Sequence, residues 1–498
     1  MVDFSRLNKE GPSGDRPNKK DVFGLSLSTQ STGTSLYYND RKTSLDGLNE
    51  GQSIMVSGII RYLKGELDLK YFLVQGPGGT GKSFAINRAL KGLEPSAVIG
   101  AAASHSAKNT LKDFLGDRYQ VVTVASLLGK SITYNERGEE ILVSSTGAKK
   151  TNLPIMRHKV IIIDEVSMID DEVAAEIIEI CNVYNKKLIV LGDYCQVPPV
   201  KQKDDSMFFD FIATELTESM RFTGPILNLA NAVRTEIVSI RSGDFADLRV
   251  VTIYSNRESC LDEKGSGYIF LNSISTVIKA AVKRFKKGNG TGYVRILAYR
   301  NKTIDKLNIL IRKELYGEDS LQFEHGESLI ASRAYTVNRE QIITNGELLQ
   351  VEAAEDVIGP YDVACKRLTF IDRTFSAPVY VVAREGEDLY NKILTSLEKD
   401  GNRGTGGGWA AFYNFKNSFA YFNYSYVTSI HKAQGNSISH VFIIEEDIYT
   451  NRATQLKEKL QLLYVAISRA SFRAYIFNKD QKAYNGNLSS DLLLLDKN

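Results

Sequence analysis

The sequence predicts an α/β protein made of two doubly wound units, the second interrupted by a smaller all-β segment. Three observations predict it. Short apolar runs alternate with helical stretches from Leu48 to about Leu216, and the same alternation returns beyond it. Continuous apolar runs bounded by turn residues suit strands buried on both faces of a parallel sheet, and alternation with helices suggests double winding. Between the two halves of the second unit, from about Gly317 to Arg384, the pattern changes to short strands and turns such as GESLIAS, GELLQVEAAE and RLTFID.

The elements follow in order. Met1 to Asp46 is polar, rich in Ser, Gly, Asn and Lys, and shows no sustained period, so it is expected to be a mobile extension. Whether it is a leader without function stays open. The first unit has strands at Tyr71–Gly76, Ser96–Ala102, Lys159–Glu165 and Lys186–Asp193. One stretch breaks its alternation: ITYNERGEEILV (Ile132–Val143) has two β-prone arms around Asn-Glu-Arg-Gly and reads as an inserted β-hairpin. In the second unit FLNSISTVIKAAVKRFKK is expected to be helical, YVRILAY (Tyr293–Tyr299) a strand and NKTIDKLNILIRKEL an amphipathic helix. EDLYNKILTSLEKD reads as a helix and Gly401–Gly408 as a flexible loop. The α/β pattern returns at YVTSIHKAQG and HVFIIEE and closes with QLLYVAISRA. No repeat of solenoid type interrupts this order.

Composition narrows the class. At 498 residues and 55.5 kDa the chain has room for about three or four domains. Hydrophobic residues at 43% and charged residues at 24% are close to a soluble globular average. No apolar run approaches the ~20 residues of a membrane span, which excludes a channel or transporter. The N-terminus lacks the apolar core of a signal peptide. Cys181, Cys195, Cys260 and Cys365 stand far apart, giving neither a disulfide scaffold nor a CxxC pair, so the cytoplasm is the expected compartment. Five scattered histidines argue against structural zinc. A net charge of +3 is too small to coat nucleic acid by charge alone, but a gathered basic groove would still serve.

The chemistry begins at Gly76-Pro77-Gly78-Gly79-Thr80-Gly81-Lys82-Ser83, which fits GxxxxGK[ST] between a strand and a helix. The glycines let backbone N–H groups face phosphate oxygens, and the helix N-terminus adds favourable charge. Lys82 is expected on the β- and γ-phosphates of ATP and Ser83 on Mg²⁺. Asp164 and Glu165 end the run VIIID. There, one carboxylate can hold Mg²⁺ through water and the other orient or activate the attacking water; alternatively the pair begins a helix. Gln52, in LNEGQ, can both donate to and accept from an adenine edge, or simply be solvated. Gln196, in GDYCQVPPV, is a candidate γ-phosphate or water sensor, although the Gly-Asp and Pro-Pro pieces are also ordinary turn residues. Arg221 and Arg469 are candidates for stabilising charge on the transferring phosphoryl group, or are surface ion pairs; the catalytic role needs a second domain closing over the first.

The order of motifs is then informative: LNEGQ, GPGGTGKS, AAASHSAKNT, TVASLLG, IIIDEVSMID, GDYCQVPPV, LTESMRF, AYRNKTIDKLN, SIHKAQG and LLYVAISRA. This series, covering about Leu48 to Phe477, resembles the superfamily 1 helicases of the 5′-to-3′, RecD-like subgroup (superfamily 1B). The resemblance implies two RecA-like P-loop NTPase domains with ATP between them and single-stranded DNA across both. It also implies an inserted β-hairpin pin and an SH3-like β insertion. The corresponding segments are 47–216 for the first domain, with the hairpin at about 130–150, and 217–315 with 425–498 for the second. The insertion, with a helical and aromatic extension, takes 316–424.

By matching motifs, Gln52 would contact adenine, and Lys82 and Ser83 the phosphates and Mg²⁺. Asp164 and Glu165 would serve Mg²⁺ and water; Gln196, Arg221 and Arg469 would sense and stabilise the γ-phosphate; and Gly435 would help couple the ATP and DNA sites. The DNA backbone would meet His105, Lys108, Thr123 and Ser126 in the first domain and Asn301, Lys302, Ser429, His431 and Lys432 in the second. Such side chains position phosphates without reading bases, and ring stacking also suits sequence-independent tracking. For each residue alone, a helix cap or a solvated side chain is an equal reading.

The hairpin occupies the place of the strand-separating pin. Its turn is charged, so the apolar wedge candidates are Tyr134, Ile141, Leu142 and Val143. The aromatic run from Trp409 to Tyr426 is core by default, with a contact between insertion and pin as the sharper reading. The implied activity is ATP-dependent 5′-to-3′ unwinding by a monomer acting on single-stranded DNA and duplex junctions, in phage DNA replication or recombination. A single-stranded-DNA-binding or replication protein is a candidate partner. The alternatives are an RNA helicase or translocase, and an ATPase switch that recruits partners. A fused nuclease is disfavoured, since no compact carboxylate cluster for a two-metal site lies outside these motifs.

Overall fold

The computed structural model describes residues 38–39, 43–134, 140–144, 153–199, 205–218, 224–242, 258–287, 293–338, 340–371, 373–403, 405, 408–449 and 455–479. The first domain is a six-stranded parallel sheet. Its strands are β1 (Phe72–Gln75), β2 (Val98–Ala102), β3 (Gln120–Thr123), β6 (Val160–Asp164), β7 (Lys187–Gly192) and β8 (Thr214–Glu215), in the order β3-β2-β6-β7-β1-β8. Strands β1, β2 and β6 are buried at every position, as apolar runs between two helical layers must be. Between β3 and β6 the chain makes the antiparallel pair β4 (Lys130–Tyr134) and β5 (Glu140–Ser144), with Thr133 opposite Ile141 and Tyr134 opposite Glu140. A salt bridge from Lys130 to Glu176 ties the base of this hairpin to the helix Asp171–Val183.

The second domain repeats the design. Its sheet runs β19-β11-β20-β21-β10-β9, from β9 (Cys260–Leu261), β10 (Gly267–Leu271), β11 (Val294–Ala298), β19 (Val427–Ser429), β20 (Ile438–Ile444) and β21 (Ala470–Phe477). All neighbours are parallel except the edge pair β9 and β10. Both faces carry buried cores. One faces the helices Pro225–Ser242 and Leu456–Ser468, the other the helices Ile274–Lys287 and Asn301–Tyr316. The chain between β11 and β19 forms a five-stranded antiparallel sheet. Its order is β17-β16-β15-β12-β18, from β12 (Ser328–Ala331), β15 (Leu348–Ile358), β16 (Ala364–Phe370), β17 (Val379–Val382) and β18 (Phe422–Tyr424). A side hairpin pairs β13 (Tyr335–Val337) with β14 (Glu340–Ile343). Two parallel-sheet α/β domains with an inserted hairpin and an inserted β sheet are the fold class that the sequence predicts.

Three local expectations are corrected. Phe270 and Leu271, expected in a helix, end β10; the helix starts only at Ile274. Apolar GYIFL pairs with β21 and is buried throughout, so tertiary pairing decides its state. The glycine-rich run expected as a loop from Gly401 begins inside the helix Glu387–Arg403. A Cβ at Gly401 would lie 3.0 Å from the Trp409 ring, so here glycine serves close helix–helix approach. Finally, Tyr38 and Asn39 are docked. The Tyr38 hydroxyl donates to Ala89 O at 2.6 Å and Asn39 N to Gly92 O at 2.9 Å, behind the helix that follows the glycine-rich loop.

The aromatic run follows its default reading in part. Phe412, Phe415 and Phe419 are buried, and Phe415 and Phe419 pack with Tyr390 and Cys365 between the long helices and the inserted sheet.

Candidate active site

The glycine-rich loop leaves the C-terminal end of β1 and turns into the helix Lys82–Leu90. Gly81, the residue before that helix, has φ +79°, and a Cβ there would stand 2.5 Å from Gln52 Nε2. Only glycine satisfies both constraints. Lys82 Nζ is folded into the loop, donating to Gly76 O at 2.7 Å and Pro77 O at 3.1 Å. Burial lowers its pKa, against the pull of Asp193, Glu165 and Asp164. A half-buried ammonium held on two carbonyls, in the lysine place of the glycine-rich motif, is the candidate for phosphate oxygens.

Asp164 ends β6, one strand removed from the loop. The Ser83 hydroxyl donates to Asp164 Oδ2 at 3.3 Å. Burial, and next the Glu165 carboxylate, push Asp164 up to about 6, against Lys82 and its hydrogen bonds from Glu165 N and Ser83. Glu165 itself has φ 54° and ψ 46°, a left-handed conformation that costs a non-glycine residue about 1–3 kcal/mol. Strain of this kind persists where surrounding structure fixes it. A buried carboxylate, crowded by a half-buried second one and beside a hydroxyl, is a donor set whose charge a hard cation such as Mg²⁺ would relieve, so these residues fit the metal.

Gln52 is buried. Its side chain accepts from Asn49 N at 3.3 Å, closing a capping box at the start of the helix Glu50–Leu63, and donates to Thr80 O at 3.0 Å. It therefore braces the glycine-rich loop, a role its position in LNEGQ did not suggest. Gln196 is buried, on the loop after β7. Arg469 is buried at the end of the helix Leu456–Ser468; its guanidinium donates to Val465 O, Asn436 O and Ser468 Oγ. Arg221 lies outside the described residues.

The second domain reaches into this site. Gln434 Nε2 donates to Gln196 Oε1 at 3.3 Å. Gly435, at φ +78°, sits where a Cβ would be 3.9 Å from both Glu165 Oε1 and Ala107. Below them lies Asp193, fully buried. It accepts from Gln75 Nε2 at 3.2 Å and Cys195 N at 3.1 Å in the first domain, and from Arg234 Nη1 at 2.5 Å and the Tyr464 hydroxyl at 2.7 Å in the second. Burial, then the Asp193 carboxylate, raise the Tyr464 pKa, so it stays a phenol and a donor. Asp193, Arg234, Tyr464 and Gln434 were not singled out from the sequence. The available signal was the GD of GDYCQ, which turn chemistry alone explains, and the Tyr of LLYVAIS, which reads as core.

The nucleic-acid candidates all stand at the C-terminal ends of edge and next-to-edge strands. His105 and Lys108 follow β2, and Thr123 ends β3 with Ser126 beyond it; Asn301 and Lys302 follow β11; Ser429 ends β19, with His431 and Lys432 next. This is the side of a doubly wound sheet where ligands bind. His105, Ser126, Asn301, Lys302 and Lys432 are exposed. Capping also occurs: Thr123 caps Ser126 N at 3.2 Å, and Ser429 Oγ accepts from Lys432 N at 3.2 Å. His431 packs on Tyr299, ring centroids 6.0 Å apart, and burial lowers its pKa, leaving a neutral ring. Asp447, also missed, holds the turn that leads into the helix Asn301–Tyr316, accepting from Tyr299 N and Arg300 N. For the pin, the backbone of Tyr134, Ile141, Leu142 and Val143 lies in the paired arms, while their side chains and the turn 135–139 lie outside the described residues.

Comparison with known proteins agrees with this geometry. Residues 47–260 match the AAA domain family, and residues 424–477 the UvrD-like helicase C-terminal domain. Fold, site and matched segments define an α/β protein with two parallel-sheet domains and a P-loop at their nucleotide site, similar in its matched segments to helicases. More particularly, the chain is similar to the ATP-dependent DNA helicase Dda of Enterobacteria phage T4, 26% identical over 469 residues, 87% of this chain and 99% of Dda. It is also 22% identical to an uncharacterized protein of Acanthamoeba polyphaga mimivirus, over 85% of this chain and 98% of that one. Among solved structures, a Pif1 helicase from Bacteroides in complex with ADP-AlF3 and ssDNA matches with TM-score 0.43 and 15% identity, over 84% of this chain and 91% of that one. The Pif1 helicase of Candida albicans matches with TM-score 0.41 and 17% identity, over 87% and 95%. Among the described residues, no helix is long and apolar enough to cross a membrane.

Proposed function

We propose that the protein is an ATP-dependent DNA helicase that moves 5′ to 3′ on single-stranded DNA and separates duplex strands. The observation that carries the reading is the junction of the two domains. The chain from the end of β19, which bears Ser429, His431 and Lys432, runs directly into Gln434 and Gly435, which stand against Gln196 and Glu165 beside the glycine-rich loop. A change at the γ-phosphate therefore reaches the DNA grip through a few covalent links.

In this reading Gly76 to Ser83 cradle the phosphates, with Lys82 on the β- and γ-phosphates. Ser83 and Asp164 hold Mg²⁺, which supplies charge neutralisation at the phosphates. Glu165 orients the attacking water; Gln196, Arg221 and Arg469 serve the γ-phosphate. Gln52, which keeps a second N–H and a second lone pair beyond those it uses, meets the adenine edge. His105, Lys108, Thr123, Ser126, Asn301, Lys302, Ser429, His431 and Lys432 hold the DNA backbone. The hairpin, through Tyr134, Ile141, Leu142 or Val143, is the wedge. The working domains are 47–216, 217–315 with 425–498, and 316–424, in an intracellular monomer.

Steady-state ATP hydrolysis with and without oligonucleotides tests the reading. Single-stranded DNA is expected to raise the rate well above both the basal rate and that with RNA of the same sequence. Stimulation by RNA alone would make the substrate RNA, and no stimulation by either would remove the coupling on which the reading depends.

A further inference from the structure

The Gln196–Gln434 contact fixes more than proximity. A glutamine amide has an acceptor end and a donor end, and its terminal torsion is soft and roughly two-fold. Gln196 therefore has two ways to face the γ-phosphate, and only the one presenting N–H attracts an anion. Its backbone leaves the choice open: Gln196 N donates to Asp193 O at 3.0 Å, and Asp193 anchors the loop. The choice is made by the second domain. Gln434 Nε2 donates to Gln196 Oε1 at 3.3 Å, and both side chains are only 3% exposed. With its oxygen engaged there, Gln196 keeps Nε2 for the phosphate side.

Gln434 is itself held. Its N donates to His431 O at 3.2 Å, closing the turn His431–Ala433, and Gly435 beyond it lies close to Glu165 and Ala107. Its own Oε1 is buried without a partner among the described residues, which leaves its desolvation uncompensated. Packing alone gives no reason to keep an amide at such a position, since an apolar side chain of the same volume would avoid that cost.

We propose that Gln434 is a positioning residue: it acts through Gln196, turning the donor end of that amide toward the γ-phosphate when the domains are in contact. The inference rests on the reading of Gln196 as the γ-phosphate residue.

The test is single-stranded-DNA-stimulated ATP hydrolysis by the full chain and by Gln434→Met, Gln434→Glu, Gln196→Ala and the double variant Gln196→Ala/Gln434→Met. Methionine keeps the volume and removes the donor; kcat is expected to fall about tenfold while KM for ATP stays within about threefold. Glutamate only accepts, so it draws the Gln196 N–H toward itself and turns its oxygen to the phosphate; kcat is expected to fall below that of the methionine variant. In the Gln196→Ala background, Gln434→Met is expected to change nothing further. Should the methionine variant fail to fold by thermal melting, Gln434→Asn, one methylene too short to reach Gln196, replaces it in the same comparison. A Gln434→Met rate equal to wild type, or losses that multiply in full in the double variant, would overturn this inference alone. No hydrolysis by the wild-type chain would overturn the underlying reading and the inference with it.

Discussion

In the proposed reading, Asp164 is the residue at which protons and Mg²⁺ would compete. Its carboxyl is pushed up to about 6 by burial and by Glu165, so below about pH 6 the protonated form, which binds no cation, prevails in the metal-free site. At low Mg²⁺, hydrolysis is expected to fall as pH drops through about 6, and raising Mg²⁺ should move that midpoint to lower pH. A midpoint indifferent to Mg²⁺ would place the titrating group elsewhere. Lys82 makes a second claim at this scale. Removing its ammonium by Lys82→Ala should lower kcat by at least about 10²-fold, the loss typical of a transition-state charge partner, and leave binding to single-stranded DNA nearly intact. Fluorescence anisotropy with a labelled oligonucleotide checks the second half. Hydrolysis preserved in that variant would mean the phosphates do not sit in this loop.

Among the elements, the helix Leu456–Ser468 has the most to hold. Lys457, Gln461 and Tyr464 recur at the spacing of one helical face, and each meets the first domain: Lys457 at Asp205, Gln461 at Tyr194 O, Tyr464 at Asp193. The contacts are unequal. Lys457 is partly exposed, and such pairs contribute about 0–1 kcal/mol, whereas Asp193 is buried against Arg234. Asp193→Ala leaves that guanidinium only its longer 3.4 Å pair with the exposed Glu215 and should destabilise the fold by about 3–5 kcal/mol in urea unfolding, with Lys457→Ala near wild type. Equal effects would show that burial does not govern this interface. The hairpin is separable in the opposite sense. Its base is tied by Lys130 to Glu176, while its arms pair only with each other in the sheet order. Replacing residues 131–143 by a short Gly-Ser link should therefore spare DNA-stimulated hydrolysis and abolish strand separation. Loss of both activities together would make the hairpin part of the ATPase fold.

At the scale of the molecule, legibility in the sequence follows how local each signal is. The strands VIIID and VRILA and the loop GPGGTGKS were legible because burial on two faces and a phosphate-binding turn each impose a continuous local pattern. Phe270 and Leu271 read as the start of a helix because a short apolar run such as GYIFL carries no period of its own, and its state is set by β21, some 200 positions along the chain. The Asp193–Tyr464 and Gln196–Gln434 contacts are invisible for the same reason. Each joins residues more than 200 positions apart, and nothing in GDYCQ or HKAQG specifies the partner. The glycine at Gly401 signalled a turn but serves helix packing, a distinction only the neighbouring Trp409 decides.

The arrangement as a whole puts the phosphate and Mg²⁺ candidates at the ends of β1, β6 and β7, and the DNA candidates at the ends of β2, β3, β11 and β19. A protein so built should convert cycles of hydrolysis into movement along one strand. The direct test is strand separation with Mg-ATP on two partial DNA duplexes, one with a 5′ single-stranded tail and one with a 3′ tail. Unwinding of the 5′-tailed duplex alone is the predicted result. Unwinding of the 3′-tailed duplex alone would contradict the direction assigned, and unwinding of neither, with DNA-stimulated hydrolysis intact, would contradict the helicase itself.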